Sequence, residues 1–300
     1  MLLSIDPANR AWMAGRTYRD QLAAGDVMAG YALSEVVASD DAALPPGSVV
    51  LGDSGWQEYA ALAVRRLRRI EVRSTLTHHL SVLGPTGLTA YFGLRDVGGV
   101  QEGDTVLVSA AAGATGSVVG QIARVLGASR VVGITGSDEK NRVLEEQLGF
   151  DATVNHRGGD ISADLRAACP DGVDVYFDNV GGAVLEAVLP RMKVHGRVVC
   201  CGAISQYDGG GMDAPATRGV PGLLLVKRLR MEGFIILDYA KRFAEGEEQL
   251  AQWLRAGHIV ALEDVVDGLE HAPAALVGML AGDNVGKRMV RVGADPVAAA

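Results

Sequence analysis

Residues Thr105 to Gly120 read TVLVSAAAGATGSVVG, an apolar run that passes through small residues into a helix-prone segment. The β-branched and aliphatic residues from Thr105 to Val108 are typical of a buried strand. The small residues that follow leave room for backbone N–H groups to approach a ligand, and a helix starting at Ser117 favours an anion at its N-terminus. The pattern predicts a diphosphate-binding loop between a strand and a helix. The alternative is an ordinary tight turn.

Around this loop, short β-branched runs alternate with helix-prone segments. The runs begin at Thr105, Arg130, Ala152, Val173 and Arg197, and helices are expected over 117–126, 139–147, 161–168 and 183–192. Such alternation implies right-handed crossovers and an α/β fold with a doubly wound parallel sheet. Ligands of these sheets bind at the carboxyl ends of the strands. Asn179 and residues 202–207 are therefore expected to contact a dinucleotide.

The rest of the chain predicts a second, β-rich domain. Short strands are expected over 32–38, 48–51 and 58–62, an amphipathic helix over 243–257 and a closing strand over 287–292. We expect residues 1–85 to form the β-rich domain and residues 86–245 the dinucleotide-binding domain. Residues 246–300 are expected to return to the β-rich domain. The glycine-rich stretch Asp208–Gly211 is a candidate cover for the active site.

Composition excludes several classes of protein. The chain has 300 residues, a formal net charge of -8 and 48% hydrophobic residues. An acidic protein does not attract nucleic acid or an anionic membrane surface. No apolar run reaches the roughly 18 residues that would span a bilayer. The three cysteines, one short of two pairs, fit reduced thiols, so a cytoplasmic location is expected.

The tip of the second strand indicates which cofactor is bound. A site specific for NAD usually carries an acidic residue there, whereas this strand ends Gly133-Ile134-Thr135-Gly136-Ser137, with Lys140 just inside the next helix. Small residues and a lysine suit a 2′-phosphate, which favours NADPH over NADH. The alternative is that Lys140 is a solvated helix residue paired with Asp138 or Glu145.

Other motifs indicate no additional chemistry. Gly52-Asp53-Ser54-Gly55 resembles a serine-protease segment, but Trp56 stands where a glycine is expected, so we interpret it as a turn. His78-His79 has no nearby acidic or cysteine residues at the spacing of a metal site, and no metal is predicted.

Longer stretches carry a family resemblance. They are LLSIDPANR from Leu2, GWQEYA from Gly55, VLGPTGLTAYFGL from Val82, VSAAAGATGSVVGQIA from Val108, GSDEK from Gly136, GVDVYFDNVGG from Gly172, CGAISQY from Cys201 and GDNVGK from Gly282. With these, the chain resembles the medium-chain dehydrogenase/reductase superfamily, in its zinc-free branch of prostaglandin, curcumin and plant alkenal double-bond reductases. The resemblance implies a GroES-like β-rich domain, NADPH as cofactor, reduction of the C=C bond of an enone or enal, and a homodimer.

The resemblance also implies roles for individual residues. The diphosphate cradle corresponds to Ala112, Gly113, Ala114, Thr115, Gly116 and Ser117. Lys140 corresponds to the lysine on the 2′-phosphate, and His156 replaces a tyrosine there, which makes phosphate binding pH-dependent if the imidazole titrates near neutrality. Further cofactor contacts correspond to Asn179, Cys201, Ile204, Tyr207 and Asn284. Tyr239 is the candidate catalytic residue, since Leu237 occupies the position of a tyrosine that polarises the carbonyl in some relatives.

Two expectations remain open at this stage. Relatives usually carry roughly 40 residues before the segment matching Leu2 to Arg10, so a late start or a shortened chain would leave an unpaired sheet edge. A quinone reductase, and a non-catalytic NADPH-binding protein that responds to redox state, are the alternatives to an enone reductase.

Overall fold

The computed structural model describes residues 1–207 and 217–293. It contains two compact units, which we call the terminal unit (Met1–Ser81 with the chain from Glu263 onward) and the central unit (Val82–Leu262). The sequence placed the boundaries at 85/86 and 245/246. The second boundary lies later because helix Phe243–Arg255 and Ile259 contribute to the core of the central unit. The expected cover at 208–211 lies outside the described residues.

The described secondary structure comprises the following elements in chain order. The strands are β1 (Leu2–Ser4), β2 (Tyr31–Glu35), β3 (Val49–Asp53), β4 (Leu67–Arg69), β5 (Thr105–Ser109), β6 (Arg130–Thr135), β7 (Ala152–Asn155), β8 (Val173–Asp178), β9 (Met192–Cys200), β10 (Arg230–Gly233), β11 (Glu263–Asp267) and β12 (Lys287–Arg291). The α-helices are α1 (Ala8–Ala14), α2 (Pro85–Phe92), α3 (Gly116–Val125), α4 (Asp138–Leu148), α5 (Ile161–Ala168), α6 (Gly182–Val188), α7 (Val220–Lys227), α8 (Phe243–Arg255) and α9 (Ala272–Ala281).

The central unit is built on a parallel sheet with strand order β10-β9-β8-β5-β6-β7. This confirms the predicted doubly wound fold. Helices α3, α4 and α5 begin and end within one residue of the expected bounds. The helix expected over 183–192 is shorter, since α6 ends at Val188 and Pro190 follows in a short 3-10 turn. Because the chain straightens there, β9 starts at Met192 instead of Arg197.

Alternate residues of the central strands pack on opposite faces of the sheet. On β5, Val106 and Val108 join the core beneath α2, α3 and α8, whereas Leu107 joins the core beneath α5 and α6. Gly120 allows α3 to approach this first core closely, because a Cβ atom there would lie 2.0 Å from Cζ of Phe150. The Phe150 ring therefore occupies the space that a side chain at position 120 would need.

The terminal unit is a second six-stranded sheet, with strand order β11-β12-β1-β2-β3-β4. Leu2 and Leu3 of β1 point into the cores on its two faces. The amine of Lys287, only 1% exposed, donates to the carbonyl of Ile5 at 2.9 Å and to the carboxylate of Asp6 at 2.6 Å. This buried ion pair fixes the start of β12 against the end of β1.

The prediction of a strand over 58–62 is wrong. The chain is irregular there, Tyr59 is 76% exposed, and the next strand to pair is β4, within the basic run Arg65–Arg69. Leu67 of β4 lies over Gly52 of β3, where a Cβ atom would be 2.5 Å from Cδ2 of Leu67. The pairing of β4 with β3 therefore depends on Gly52, which leaves room for Leu67. The local β propensity of 58–62 does not decide it.

Gly120→Ala is expected to destabilise the central unit by about 1–3 kcal/mol, because the new methyl group collides with Phe150. Gly222→Ala is the matched control. It lies in α7 with no atom of the described residues within 4 Å of its Cβ position, so it should stabilise by about 0.5–1 kcal/mol. Urea unfolding of both variants measures the difference, and equal midpoints would contradict the packing argument.

Burial of His79 is expected to make the free energy of unfolding depend on pH. His79 is 8% exposed, its Nε2 atom has no partner among the described residues, and burial lowers its pKa to about 4. Between this value and the ordinary pKa of a histidine, His79 is protonated in the unfolded chain and neutral in the folded chain. Stability should fall by about 1 kcal/mol between roughly pH 7.5 and pH 5.5. His79→Leu should remove that part of the fall in urea midpoint, whereas the exposed-site variant His258→Gln should keep it.

Candidate dinucleotide-binding site

The loop between β5 and α3 is shaped for close approach of a ligand. Ala110 adopts a positive φ of 48°, and the N–H of Gly113 donates to its carbonyl at 2.9 Å. A Cβ atom at Gly116 would lie 2.4 Å from the same carbonyl oxygen, so the turn requires glycine there. Gly113, Ala114 and Thr115 are partly exposed, whereas Ala112, Gly116 and Ser117 of the predicted cradle are buried at the start of α3.

The N-terminus of α3 retains its capacity to bind an anion. No side chain among the described residues caps it, and its first turn has no acidic residue. By contrast, Ser137 caps α4 by accepting from the N–H of Lys140, and Asp160 caps α5 by accepting from two N–H groups. The N–H of Ser117 donates to the Gly113 carbonyl at 3.0 Å, and those of Val118 and Val119 donate to the Thr115 carbonyl at 3.1 and 2.9 Å. A diphosphate at this end is therefore favoured mainly by the positive end of the helix dipole. This arrangement fits a dinucleotide cofactor.

Asn179 lies where the order of the strands reverses, between β5 and β8. Its N–H donates to the hydroxyl of Ser109 at 2.9 Å, and its side-chain amide donates to the Ser109 carbonyl at 2.7 Å. Such a reversal opens the crevice in which α/β proteins bind their ligands. The predicted residue therefore borders the crevice, and its amide is held in one orientation.

Asp178 organises this edge of the sheet. Its carboxylate is 2% exposed and accepts four hydrogen bonds at one oxygen, from donors on three sides. The donors are the Tyr176 hydroxyl at 2.8 Å, the Ser109 hydroxyl at 3.1 Å, and the N–H groups of Val180 and Gly181, both at 2.9 Å. Burial, and then the nearby carboxylate, raise the pKa of Tyr176, so this phenol stays a donor.

Sequence reasoning did not identify Asp178 or Ser109 as part of the site. A signal was present in the sequence, since Asp178 directly follows the apolar residues Val175-Tyr176-Phe177 at the end of the predicted strand. A carboxylate buried in a sheet core must be satisfied by hydrogen bonds, and the nearest donors lie on the neighbouring strand and the following loop. Only the pairing of β5 with β8 shows that Ser109 is one of them.

The segment after β9 lies against the same loop. The N–H groups of Cys201 and Gly202 donate to the Asp178 carbonyl at 2.9 and 3.1 Å, and that of Ile204 donates to the Asn179 carbonyl at 3.3 Å. The Tyr207 hydroxyl accepts from the N–H of Ala203 at 3.3 Å. The predicted residues Cys201, Ile204 and Tyr207 therefore cluster beside Asn179. Burial raises the pKa of Cys201 to about 12, so its thiol is neutral.

The ends of β6 and β7 form the region predicted for the 2′-phosphate. The N–H of His156 donates to the carbonyl of Thr135 at 3.0 Å, and Lys140 lies in the first turn of α4. Partial desolvation, and then the charge of Arg157, lower the pKa of His156 below its ordinary value. The imidazole is therefore neutral at pH 7, and the titration near neutrality considered from the sequence is not favoured.

Tyr239 and Asn284 belong to different units of the chain, Tyr239 to the central unit and Asn284 to the terminal unit. The Tyr239 ring stacks on Phe92 with centroids 4.6 Å apart and meets Phe234 edge-on at 6.1 Å. Asn284 belongs to the terminal unit, is buried, and donates to the Gly286 carbonyl at 2.8 Å. The assignment of Tyr239 to catalysis and of Asn284 to cofactor binding stays a prediction.

The described part of the chain offers neither a metal-ligand cluster nor a helix suited to a membrane. Within residues 1–207 and 217–293, no three histidine, cysteine or acidic side chains are grouped so that they could ligate a metal. Among the helices of the same ranges, none has the length and apolar character needed to cross a bilayer.

Comparison with known proteins identifies the class. The family model described as "Zinc-binding dehydrogenase" matches residues 114–254, and that described as "N-terminal domain of oxidoreductase" matches residues 1–70. The NADP(+)-dependent 2-alkenal reductase of Nicotiana tabacum is 42% identical over 299 residues, 97% of this chain and 85% of that protein. The NADPH-dependent curcumin reductase of Escherichia coli strain K12 is 40% identical, over 98% of this chain and 86% of that protein.

A solved structure agrees with these relatives. The crystal structure of CurA from Vibrio vulnificus in complex with NADPH superimposes with a TM-score of 0.92 at 39% identity, covering 98% of this chain and 88% of that one. Fold and matches together define a medium-chain dehydrogenase/reductase with a GroES-like domain. Within that superfamily, the chain belongs to the zinc-free branch of the prostaglandin, curcumin and alkenal reductases.

Ser109→Ala is expected to weaken NADPH binding by about fivefold to tenfold, since it removes a donor to Asp178 and the acceptor of the Asn179 N–H. Ser162→Ala, at an exposed position on α5, is the matched control. Titration by nicotinamide fluorescence compares the two variants with the unmodified chain. An affinity for NADPH unchanged in Ser109→Ala would refute the positioning role of this network.

Proposed function

We propose that the chain is an NADPH-dependent oxidoreductase that reduces the C=C bond of α,β-unsaturated ketones and aldehydes. The observation that carries this proposal is the uncapped start of α3 next to the buried network that fixes Asn179. The activities for which the relatives from N. tabacum and E. coli are named support the cofactor and the reaction.

The residues of the central unit fit the cofactor as follows. The backbone of Ala112 to Ser117 holds the diphosphate, because it lies at the positive end of the α3 dipole, where no described side chain caps the helix. Lys140 and His156 hold the 2′-phosphate of the adenosine. Asn179 borders the nicotinamide half, because it follows β8 at the reversal of strand order. The segment Cys201–Tyr207 lies beside it, because its N–H groups donate to the Asp178 and Asn179 carbonyls.

The chemistry requires a donor near the substrate carbonyl. NADPH, when bound, supplies a hydride to the β carbon of the enone. As that bond forms, negative charge moves to the carbonyl oxygen, and a hydroxyl donor stabilises it. A proton from solvent then adds to the α carbon and completes the saturated product. We assign this donor to Tyr239. Desolvation, and then the charge of Asp96, raise its pKa, so the phenol remains protonated at neutral pH and can donate.

The proposal includes a cytoplasmic location and a homodimer. The three cysteines Cys169, Cys200 and Cys201 are free thiols, as proteins of reducing compartments usually have. The homodimer rests on the family resemblance alone.

The decisive assay follows consumption of NADPH with a straight-chain alkenal, a cyclic enone and a benzoquinone, and identifies products by mass spectrometry. We expect the saturated aldehyde and ketone, with slower consumption of NADH. The saturated forms of the same substrates serve as controls and should not be reduced. Turnover of the quinone alone would indicate a quinone reductase, and NADPH binding without any turnover would indicate a non-catalytic protein.

Tyr239→Phe tests the donor in the same assay. The variant keeps the ring stacked on Phe92 and removes only the hydroxyl. We expect kcat to fall about 100-fold, as is typical for loss of one donor to a developing oxyanion, with an unchanged Kd for NADPH. An unchanged kcat would transfer the role to another group.

A further inference from the structure

We propose that Arg157 is the second cation of the 2′-phosphate site, beside Lys140, and that it sets the preference of this chain for NADPH over NADH. The inference rests on the proposed function, since it concerns the adenosine end of the same cofactor. The relevant surface is formed by residues 136–140 after β6 and residues 155–157 after β7. We call this surface the adenosine pocket.

The backbone brings the two halves of the pocket together. Strands β6 and β7 are parallel neighbours, with Thr135 opposite Asn155, so both chains leave the sheet at the same edge. A Cβ atom at Gly136 would lie 3.4 Å from both Nε2 of His156 and Nε of Arg157, and 3.5 Å from the guanidinium carbon. The imidazole and the guanidinium therefore both lie over Gly136, and Lys140 follows within the first turn of α4.

Hydrogen bonds hold the turn that carries Arg157. The side-chain oxygen of Asn155 accepts from the N–H of Arg157 at 3.0 Å, and the side-chain amide of Asn155 donates to the Asp138 carboxylate at 2.8 Å. The carbonyl of Asn155 accepts from the N–H of Gly158 at 3.0 Å. The same contacts hold the Asp138 carboxylate in place. Asp138 and Glu139, both exposed, are the two acidic side chains that the cations of the pocket must outweigh.

The distribution of charge identifies Arg157 as the residue that complements Lys140. His156 adds a hydrogen-bonding ring but no charge at pH 7, because desolvation and the neighbouring guanidinium lower its pKa. A 2′-phosphate carries a charge of about -1.5 to -2, which one lysine does not neutralise. A guanidinium keeps its charge throughout the physiological range and can donate to two phosphate oxygens at once.

Glycine at position 136 is consistent with a 2′-phosphate in the adenosine pocket. Its Cβ position makes only ordinary van der Waals contacts, so packing alone would tolerate alanine. An extra methyl group would, however, occupy the surface between the strand tip and the two side chains. Gly136→Ala should therefore fold normally and bind NADPH more weakly, with a smaller effect on NADH.

The test uses the full chain and three substitutions: Arg157→Met, Arg157→Lys and Arg166→Met. Arg166 is an exposed arginine on α5 and serves as the matched control. Calorimetric titrations with NADPH, NADH, 2′,5′-ADP and 5′-AMP separate the phosphate contribution from the rest of the cofactor. Thermal unfolding without ligand verifies that each variant is folded.

We expect Arg157→Met to weaken NADPH and 2′,5′-ADP at least about tenfold, a difference of about 1.4 kcal/mol, while NADH and 5′-AMP change by less than about twofold. Arg157→Lys should recover part of the loss, and Arg166→Met should match the unmodified chain. Raising the salt concentration should weaken NADPH binding less in Arg157→Met than in the unmodified chain.

Two results would overturn the inference. One is an unchanged affinity of Arg157→Met for NADPH. The other is an equal loss for NADPH and NADH, which would assign the guanidinium to stacking on the adenine. If the unmodified chain binds neither nucleotide, the proposed function itself fails. If the unmodified chain prefers NADPH and Arg157→Met keeps that preference, only the role of Arg157 fails.

Discussion

A single buried carboxylate, that of Asp178, connects the three strand ends that border the crevice. Asp178 is the last residue of β8. Its carboxylate accepts from the Ser109 hydroxyl of β5, and its backbone carbonyl accepts from N–H groups of the segment that follows β9. An unsatisfied carboxylate at this depth would be very costly, so all of these donors must be in place together. The loop that carries Asn179 is consequently fixed before any ligand arrives, and little conformational entropy remains to be lost on binding.

Close packing imposes a second constraint on the central unit. Gly116 lets the loop fold over Ala110, and Gly120 lets α3 approach the ring of Phe150. Both glycines lie in the segment that resembles a nucleotide-binding fingerprint, yet their contacts here are with the protein itself. Their small size brings the N-terminus of α3 against the sheet, and an anion there meets the positive end of the helix dipole, which no side chain of the described residues caps.

The sequence was most informative where local composition and tertiary structure agree. The β-branched runs starting at Thr105, Arg130 and Ala152 became parallel strands, because strands covered on both faces are apolar along their whole length. It was least informative in the terminal unit, where Leu67 within a basic run forms a strand and the more apolar stretch 58–62 does not. That outcome depends on Gly52 of a neighbouring strand, which no local pattern could reveal.

In the candidate site, too, some residues could be proposed from local sequence and others only from tertiary contacts. Lys140 could be proposed from the sequence because it follows a strand tip without an acidic residue, whereas the network of Asp178 and the position of Arg157 over Gly136 depend on neighbours across the sheet. Pairing between strands distant in sequence creates both groupings, and helix and strand periodicity carries no information about which strands are adjacent.

The central unit is an insertion between two parts of the terminal sheet. Strand β1 pairs with β12, and the N–H of Val292 donates to the carbonyl of Met1 at 2.9 Å. During synthesis, β1 to β4 must therefore wait until the whole central unit has left the ribosome before their sheet can be completed. The order of folding is then imposed by chain connectivity. A circular permutant that joins the two ends and opens the chain elsewhere would bring the strands of the terminal sheet together in sequence and shorten that delay.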